Sequence, residues 1–202
     1  VIVAKKDGSL RFCVDYRAIN SVTYKDSYPL PLIDNCLNAM SGASWFSTLD
    51  LRAGYHNIPV AEKDRDKTAF VTRRGCWRYT VMPFGLTCAP SVFQRLMDLV
   101  LAGLSYEYCL VYLDDIIIYA RTFDEHLRRL EAVFSRLRWA RLKLKPSKCS
   151  LLQRKVSFLG HNVSEAGVEM QSEKIKAVLD WPTPKNLHDV RSYLGLCGYY
   201  RR

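Results

Sequence analysis

Leu110-Val111-Tyr112-Leu113-Asp114-Asp115-Ile116-Ile117-Ile118-Tyr119-Ala120 is the stretch that decides how this chain folds. Two very apolar runs, rich in β-branched and aromatic residues, flank a pair of carboxylates. That is the pattern of two buried strands joined by a tight turn. Adjacent carboxylates at the end of buried strands repel one another and lose hydration, which is costly unless a cation compensates. Magnesium suits such a pair, because it prefers carboxylate oxygens and keeps waters for substrate phosphates. Taken by themselves, the two residues also fit a plain Asp-Asp hairpin turn with no chemical role.

Upstream, residues 45–51 (Trp-Phe-Ser-Thr-Leu-Asp-Leu) read as a third strand. Phe46, Thr48 and Asp50 fall on one face, and Trp45, Ser47, Leu49 and Leu51 on the other. Asp50 therefore also ends an apolar strand, just before a turn at Gly54. Two strands that end in carboxylates can lie side by side in one sheet and together hold two divalent ions. Such a site activates a hydroxyl nucleophile and stabilises a leaving pyrophosphate. A strand-terminal aspartate that only caps a turn is the competing reading of Asp50.

The rest of the chain mixes strands and helices. Residues 1–20 read as a hairpin turning at Lys5-Lys6-Asp7-Gly8, with a second strand over 10–16. A short helix is expected over 33–40, ended by Ser41-Gly42-Ala43. Residues 68–82 suggest a hairpin turning at Arg73-Arg74-Gly75. A helix follows Pro90, and Ser91-x-x-Gln94 has the form of a capping box. Phe93, Leu96, Val100 and Leu104 would share one side of it. Thr122-x-x-Glu125 caps a long helix whose Leu127, Leu130, Phe134 and Leu137 form an apolar stripe, ending by Pro146. Residues 156–163 read as a strand containing Gly160, Gly167 as a turn, and residues 173 onward as helical, interrupted by Pro182 and Pro184. Mixed order with hairpins favours an α+β fold with an antiparallel sheet.

Composition is compatible with a globular chain: 202 residues, 49% apolar and 25% charged. Lys and Arg number 30 against 20 Asp and Glu, a net charge of +10, which favours polyanionic partners. The basic residues are spread along the chain, so charge alone also fits a protein that is merely basic. The seven cysteines, Cys13, Cys36, Cys76, Cys88, Cys109, Cys149 and Cys197, show no zinc-ligand spacing. Free thiols in a reducing compartment are expected. No run of about 18 apolar residues occurs, so no membrane-crossing helix is expected. The chain begins on Val1 within a strand-like run and stops at Arg202 within a helical pattern, which reads as a piece of a longer polyprotein.

Five segments together resemble the polymerase region of reverse transcriptases, with the flavour of gypsy-type LTR retrotransposons and retroviral-type Pol polyproteins. Leu49-Asp50-Leu51-Arg52-Ala53-Gly54-Tyr55-His56-Asn57-Ile58 resembles motif A, and Met82-Pro83-Phe84-Gly85-Leu86-Thr87-Cys88-Ala89-Pro90 motif B. Tyr112-Leu113-Asp114-Asp115 resembles the Y-x-D-D box, and Phe158-Leu159-Gly160-His161 the primer grip. Lys5-Lys6-Asp7-Gly8 and Arg11 to Arg17 resemble the fingers hairpin. The segments follow the family's order across nearly the whole chain.

The resemblance implies a right-hand polymerase architecture. Residues 1–24 and 58–88 would be fingers, 25–57 and 89–166 the palm, and 167–202 the start of a thumb. It implies Asp50 and Asp114 as main metal ligands, Asp115 as a third carboxylate, and the carbonyl of Leu51 completing the set around two Mg²⁺ ions, with Mn²⁺ as a substitute. Tyr55 matches the steric gate that excludes a ribose 2′-hydroxyl. Arg11 and either Lys5 or Lys6 would hold the triphosphate, and Ala53, Phe84 and Gly85 would contact the nucleotide. Pro90, Tyr112, Leu159 and Gly160 would contact primer or template, and Lys148 is the candidate general acid. Cys88 departs from the asparagine expected in motif B. Implied partners are an RNA or DNA template with its primer, deoxynucleoside triphosphates, and protease, RNase H and integrase regions of the same polyprotein. The expected location is intracellular: cytoplasm, virus-like particle or nucleus. A catalytically inactive nucleic-acid-binding remnant is the alternative function.

Overall fold

The computed structural model describes residues 2–4, 8 and 10–200, with only the backbone of Arg11. In chain order the elements are β1 (Ile2–Ala4), β2 (Leu10–Phe12), α1 (Arg17–Val22), α2 (Ile33–Ala39), β3 (Trp45–Asp50), β4 (Phe70–Thr72) and β5 (Gly75–Trp77). Then come α3 (Ala89–Val100), β6 (Cys109–Tyr112), β7 (Asp115–Ala120), α4 (Phe123–Trp139), β8 (Ser150–Gln153), β9 (Lys155–Phe158), β10 (His161–Ser164), β11 (Gly167–Met170), α5 (Ser172–Leu179) and α6 (Leu187–Tyr199).

The centre is a four-stranded sheet in the order β6-β7-β3-β8. β3 and β7 pair antiparallel over six residues, from Trp45 opposite Ala120 to Asp50 opposite Asp115. Both faces of this sheet are covered, which is why β7 is apolar at successive positions. On one face Leu49, Val111, Ile116 and Ile118 share a core with Phe93 and Met97 of α3 and Leu130, Val133 and Leu137 of α4. On the other, Phe46, Leu110, Ile117 and Tyr119 pack with Cys36 and Leu37 of α2, with Met40 just after it, and with Val156, Phe158 and Val163 of a smaller sheet, β11-β10-β9. Ile116, Ile117 and Ile118 are wholly buried, and each such side chain is worth about 1.5–3 kcal/mol of transfer energy.

Helix α4 starts as its sequence indicates: the Glu125 N–H donates to Thr122 Oγ1, and Glu125 Oε2 accepts from the Arg121 N–H. Its buried stripe is His126, Leu130, Val133 and Leu137, rotated from the expected one, so that Leu127 is exposed. His126 sets this rotation. Ser47 Oγ on β3 accepts from the Leu152 N–H at 3.0 Å and is hydrogen-bonded with His126 Nε2 at 2.7 Å. Burial, and then Arg129, lower the His126 pKa and favour the neutral ring. The bond from Leu152 lies where β8 loses register with β3, and Leu152 is left-handed there (φ 55°).

Three other expectations need correction. The second strand of the first hairpin ends at Phe12, and residues 17–22 form α1 instead. Residues 156–163 are two strands, β9 and β10, turning at Leu159-Gly160. Both turn residues have positive φ (45° and 76°), as a two-residue type I′ hairpin demands. Ser91 and Gln94 form no capping box. α3 begins at Ala89 after Cys88, Ser91 Oγ donates to the Asp26 carbonyl, and Gln94 is wholly buried with other work. The hairpin of β4 and β5, turning at residues 73–74, is as expected. Helices α5 and α6 contain no fully buried residue.

Candidate active site

The pairing of β3 with β7 sets Asp50 directly across from Asp115, and β6 sets Tyr112 across the other side of Asp115. Asp114 occupies the turn between β6 and β7. The three carboxylates named from sequence are thus gathered at one end of the central sheet. Among the described residues no three His, Cys, Asp or Glu side chains close into a ready cage for a metal ion. The ammonium of Lys148 lies 3.2 Å from Asp50 Oδ2.

The turn is held from behind. Leu113 takes left-handed backbone (φ 55°), strained for a leucine. Its N–H donates to Gln94 Oε1 at 2.8 Å, while Gln94 Nε2 donates to the Val111 carbonyl at 3.3 Å and to Asp98 at 3.0 Å. One buried amide therefore grips both the turn and the strand entering it. Asp98 is fixed in turn by the Tyr28 hydroxyl at 2.6 Å.

Asp114 presses against the 3₁₀ turn Gly54–Asn57. A Cβ at position 54 would lie 2.5 Å from Asp114 Oδ1 and 2.9 Å from the Phe93 ring, so only glycine fits. Asp114 Oδ1 is buried and has no hydrogen-bond partner among the described residues. Burial raises the Asp114 pKa, followed by repulsion from Asp115 and Asp50; Lys148 pulls it down. Asp115 is raised in the same way by burial and then by Asp50, again opposed by Lys148. A buried carboxylate oxygen with no donor, beside two other carboxylates, has the chemistry of a cation ligand.

Lys148 is placed by chain segments far from it in sequence. The Arg52 N–H donates to the Lys143 carbonyl at 2.7 Å, and the Lys145 N–H to the Asp50 carbonyl at 2.9 Å. These bonds fasten the 3₁₀ turn Pro146–Lys148 beside the end of β3. Asp50, Leu51, Ala53, Gly54, Phe84, Asp114 and Lys148 line one cleft of about 770 Å³, which continues to Phe12 of β2.

Ala53 is left-handed (φ 51°), and Asn57 Nδ2 donates to its carbonyl at 3.2 Å, closing the loop after Asp50. Tyr55 is half-buried, its ring 5.2 Å from Phe84 and 5.3 Å from Phe93. Burial and then Asp114 raise its pKa, so the phenol is neutral. Gly85 has φ 96° and lies against Tyr16 and Val14. Asn20 of α1 clamps this loop, donating to the Gly85 carbonyl at 2.8 Å and accepting from the Thr87 N–H at 2.9 Å. Cys88 Sγ faces the Tyr24 carbonyl at 3.4 Å, and Pro90 sits in the first turn of α3. Leu159 borders a second, smaller cleft of about 160 Å³ with Asp50, Asp115 and Lys148. Lys5 and Lys6 lie outside the described residues, and Arg11 contributes a backbone pairing with Val3.

Sequence spacing missed Gln94, Asn20 and Asn57. Gln94 and Asn20 act across long chain separations, so no local pattern marks them.

The family model for reverse transcriptase (RNA-dependent DNA polymerase) matches residues 3–163. This chain belongs to the reverse transcriptase family. It is 42% identical over 206 residues to the retrovirus-related Pol polyprotein from transposon 297 of Drosophila melanogaster, covering 100% of this chain and 20% of that protein. Among solved structures it is similar to the foamy viral protease-reverse transcriptase. In complex with an RNA/DNA hybrid that enzyme matches with TM-score 0.83 and 28% identity, over 99% of this chain and 27% of the other. In complex with double-stranded DNA it matches with TM-score 0.90 and 29% identity, over 99% and 35%. The chain spans a minority of the length of each of these reverse transcriptase relatives. Its mixed helices and antiparallel sheet are the palm-like fold of that family.

Proposed function

We propose that this chain carries the polymerase centre of an RNA- and DNA-templated DNA polymerase. One observation carries the proposal: Asp50, Asp114 and Asp115 converge at one sheet end, with a buried Asp114 oxygen that no group among the described residues satisfies. The substrates would be deoxynucleoside triphosphates and a primer on an RNA or DNA template. The foamy viral relative is known with both an RNA/DNA hybrid and double-stranded DNA, which supports that class of partner.

Asp50, Asp114 and Asp115, with the carbonyl of Leu51, would hold two divalent ions, magnesium or manganese. Such ions supply a polarised 3′-hydroxyl and neutralise the charge on the transferred phosphate. Tyr55, wedged between Phe84 and Phe93, would stand where a ribose 2′-hydroxyl needs room and so favour deoxynucleotides. Ala53, Phe84 and Gly85 would border the nucleotide, and Arg11 with Lys5 or Lys6 would hold its phosphates. Lys148, already beside Asp50 in the cleft, would neutralise charge there and donate a proton to the departing pyrophosphate. Tyr112, Leu159, Gly160 and Pro90 would meet primer and template. In this scheme residues 1–24 and 58–88 act as fingers, 25–57 and 89–166 as palm, and 167–202 as the first part of a thumb. Protease, RNase H and integrase regions would accompany it in a Pol polyprotein, working in the cytoplasm, a virus-like particle or the nucleus.

Primer extension on an RNA template with Mg²⁺ tests the proposal. Asp50→Asn should cut extension about 10³-fold or more, on the scale of losing a main electrostatic stabiliser, while duplex binding persists. Equal extension by the variant would refute the assignment.

A further inference from the structure

The Leu159-Gly160 turn projects two carbonyls that the β9–β10 ladder does not use. Both meet phenol groups from the end of α6. The Tyr199 hydroxyl donates to the Leu159 carbonyl at 2.8 Å, and the Tyr200 hydroxyl to the Gly160 carbonyl at 3.4 Å. His161 Nδ1 lies 2.9 Å from the same Leu159 carbonyl. The His161 ring stacks on Tyr199, with centroids 5.8 Å apart, and tilts against Tyr200 at 5.2 Å. Tyr199 and Tyr200 pack edge to face at 4.8 Å.

The fit is close. A Cβ at Gly160 would come within 2.8 Å of the Tyr200 hydroxyl oxygen. The turn is also next to the chemistry: Leu159, Phe158 and Ser157 share a small cleft with Asp50, Asp115 and Lys148. Partial burial raises the Tyr199 pKa, then the neighbouring Tyr200 and Tyr112 raise it further, so Tyr199 keeps its proton and remains a donor.

α6 has little else to hold it. It contains no fully buried residue, and Leu187, Leu194 and Tyr199 remain exposed. A helix with so little buried surface is a weak anchor by packing. Two hydroxyls on two adjacent carbonyls give it a directional one instead, and the same bonds fix the height of the turn over Asp50 and Asp115.

We propose that Tyr199 and Tyr200 are positioning residues: their hydroxyls lock the Leu159-Gly160 turn and so hold the primer 3′ end in line with the carboxylates. This rests on the polymerase reading above, in which Leu159 and Gly160 meet the primer. The pair would act on the geometry of the primer terminus, and leave nucleotide binding and global stability nearly unchanged.

The test is single-nucleotide extension by the chain and by its Tyr199→Phe/Tyr200→Phe double variant, which keeps both rings and removes both hydroxyls. Expected are a kcat about tenfold lower, the scale of two modest hydrogen bonds, with the nucleotide KM and duplex Kd within about twofold and an unchanged thermal midpoint. Hydrogen exchange at the Gly160 and His161 amides should quicken, while that at Leu113 does not. Tyr193→Phe serves as the control on the same helix; its ring packs on Trp181 at 5.8 Å, and it should behave as the wild type. An unchanged kcat in the double variant, or a loss matched by weaker duplex binding or a lower midpoint, would overturn the positioning role alone. A wild-type chain that binds duplex but extends no primer would overturn the polymerase reading, and this inference with it.

Discussion

Two tight turns flank the candidate site, and each puts a leucine into left-handed backbone: Leu113 at φ 55° and Leu159 at φ 45°. The first is gripped by Gln94, a wholly buried amide on α3, within the larger core. The second is gripped by Tyr199 and Tyr200 from α6, which has no fully buried residue. Strain of this kind persists only where the surroundings over-determine it. The Leu113-Asp114 turn is over-determined by a packed core and can carry charge that the fold itself disfavours. The Leu159-Gly160 turn is held by a helix with little buried surface, and in the proposed function it would meet the primer.

Crowding the first turn should have the largest effect. Gly54→Ala drives a Cβ into Asp114 and Phe93. Extension should fall about 100-fold, as misplacement by about an ångström costs, read in steady-state assays. Near-normal extension would mean that the loop after Asp50 yields, and that the first turn is softer than argued.

Removing the grip comes next. Gln94→Ala leaves the Leu113 N–H and the Val111 carbonyl without their partner. Denaturant unfolding should show a loss of about 1–3 kcal/mol, the cost of buried groups left unpaired. A loss below about 0.5 kcal/mol would show that water or a neighbour replaces the amide.

The smallest effect belongs to the second turn. Gly160→Ala strains a left-handed position and meets the Tyr200 hydroxyl, which is the far end of a side chain and can move aside. Stability should fall by about 1 kcal/mol, measured by the same unfolding titration. A drop larger than that of Gln94→Ala would reverse the ranking of the two turns.

Much of this was legible because the signals were local. The apolar runs around Asp114-Asp115 marked β6 and β7, Thr122 and Glu125 marked the start of α4, and Asp50 at the end of β3 marked the carboxylate partner. What escaped was set by distant partners. Gln94 carries the spacing of a capping box with Ser91, yet its buried site diverts it to a turn 19 residues away. Residues 156–163 looked like one strand because Leu159 is a poor turn residue by propensity; the tyrosines and His161 that hold its left-handed backbone are tertiary neighbours. Leu127 looked like core and is exposed, because the Ser47–His126 bond rotates α4 by one position. Asn20 fell at the end of the span read as a hairpin, and α1 instead aims it at the loop holding Gly85.

The fold gathers carboxylates whose charge it disfavours, and in the proposed function a divalent cation would resolve the conflict. Burial and mutual repulsion raise the Asp114 pKa above its ordinary 3.8. The folded state therefore gains from a protonated Asp114 below that pH, and loses the gain as pH rises through the raised value. At neutral pH the charge works against folding. Thermal unfolding of the wild type and Asp114→Asn, with and without Mg²⁺, measures this directly. Without metal at about pH 7.5, the variant should melt higher than the wild type, and the difference should vanish below about pH 3.8. Mg²⁺ should raise the wild-type midpoint and leave the variant nearly unmoved. A variant no more stable than the wild type at neutral pH, or one that Mg²⁺ stabilises equally, would contradict the account.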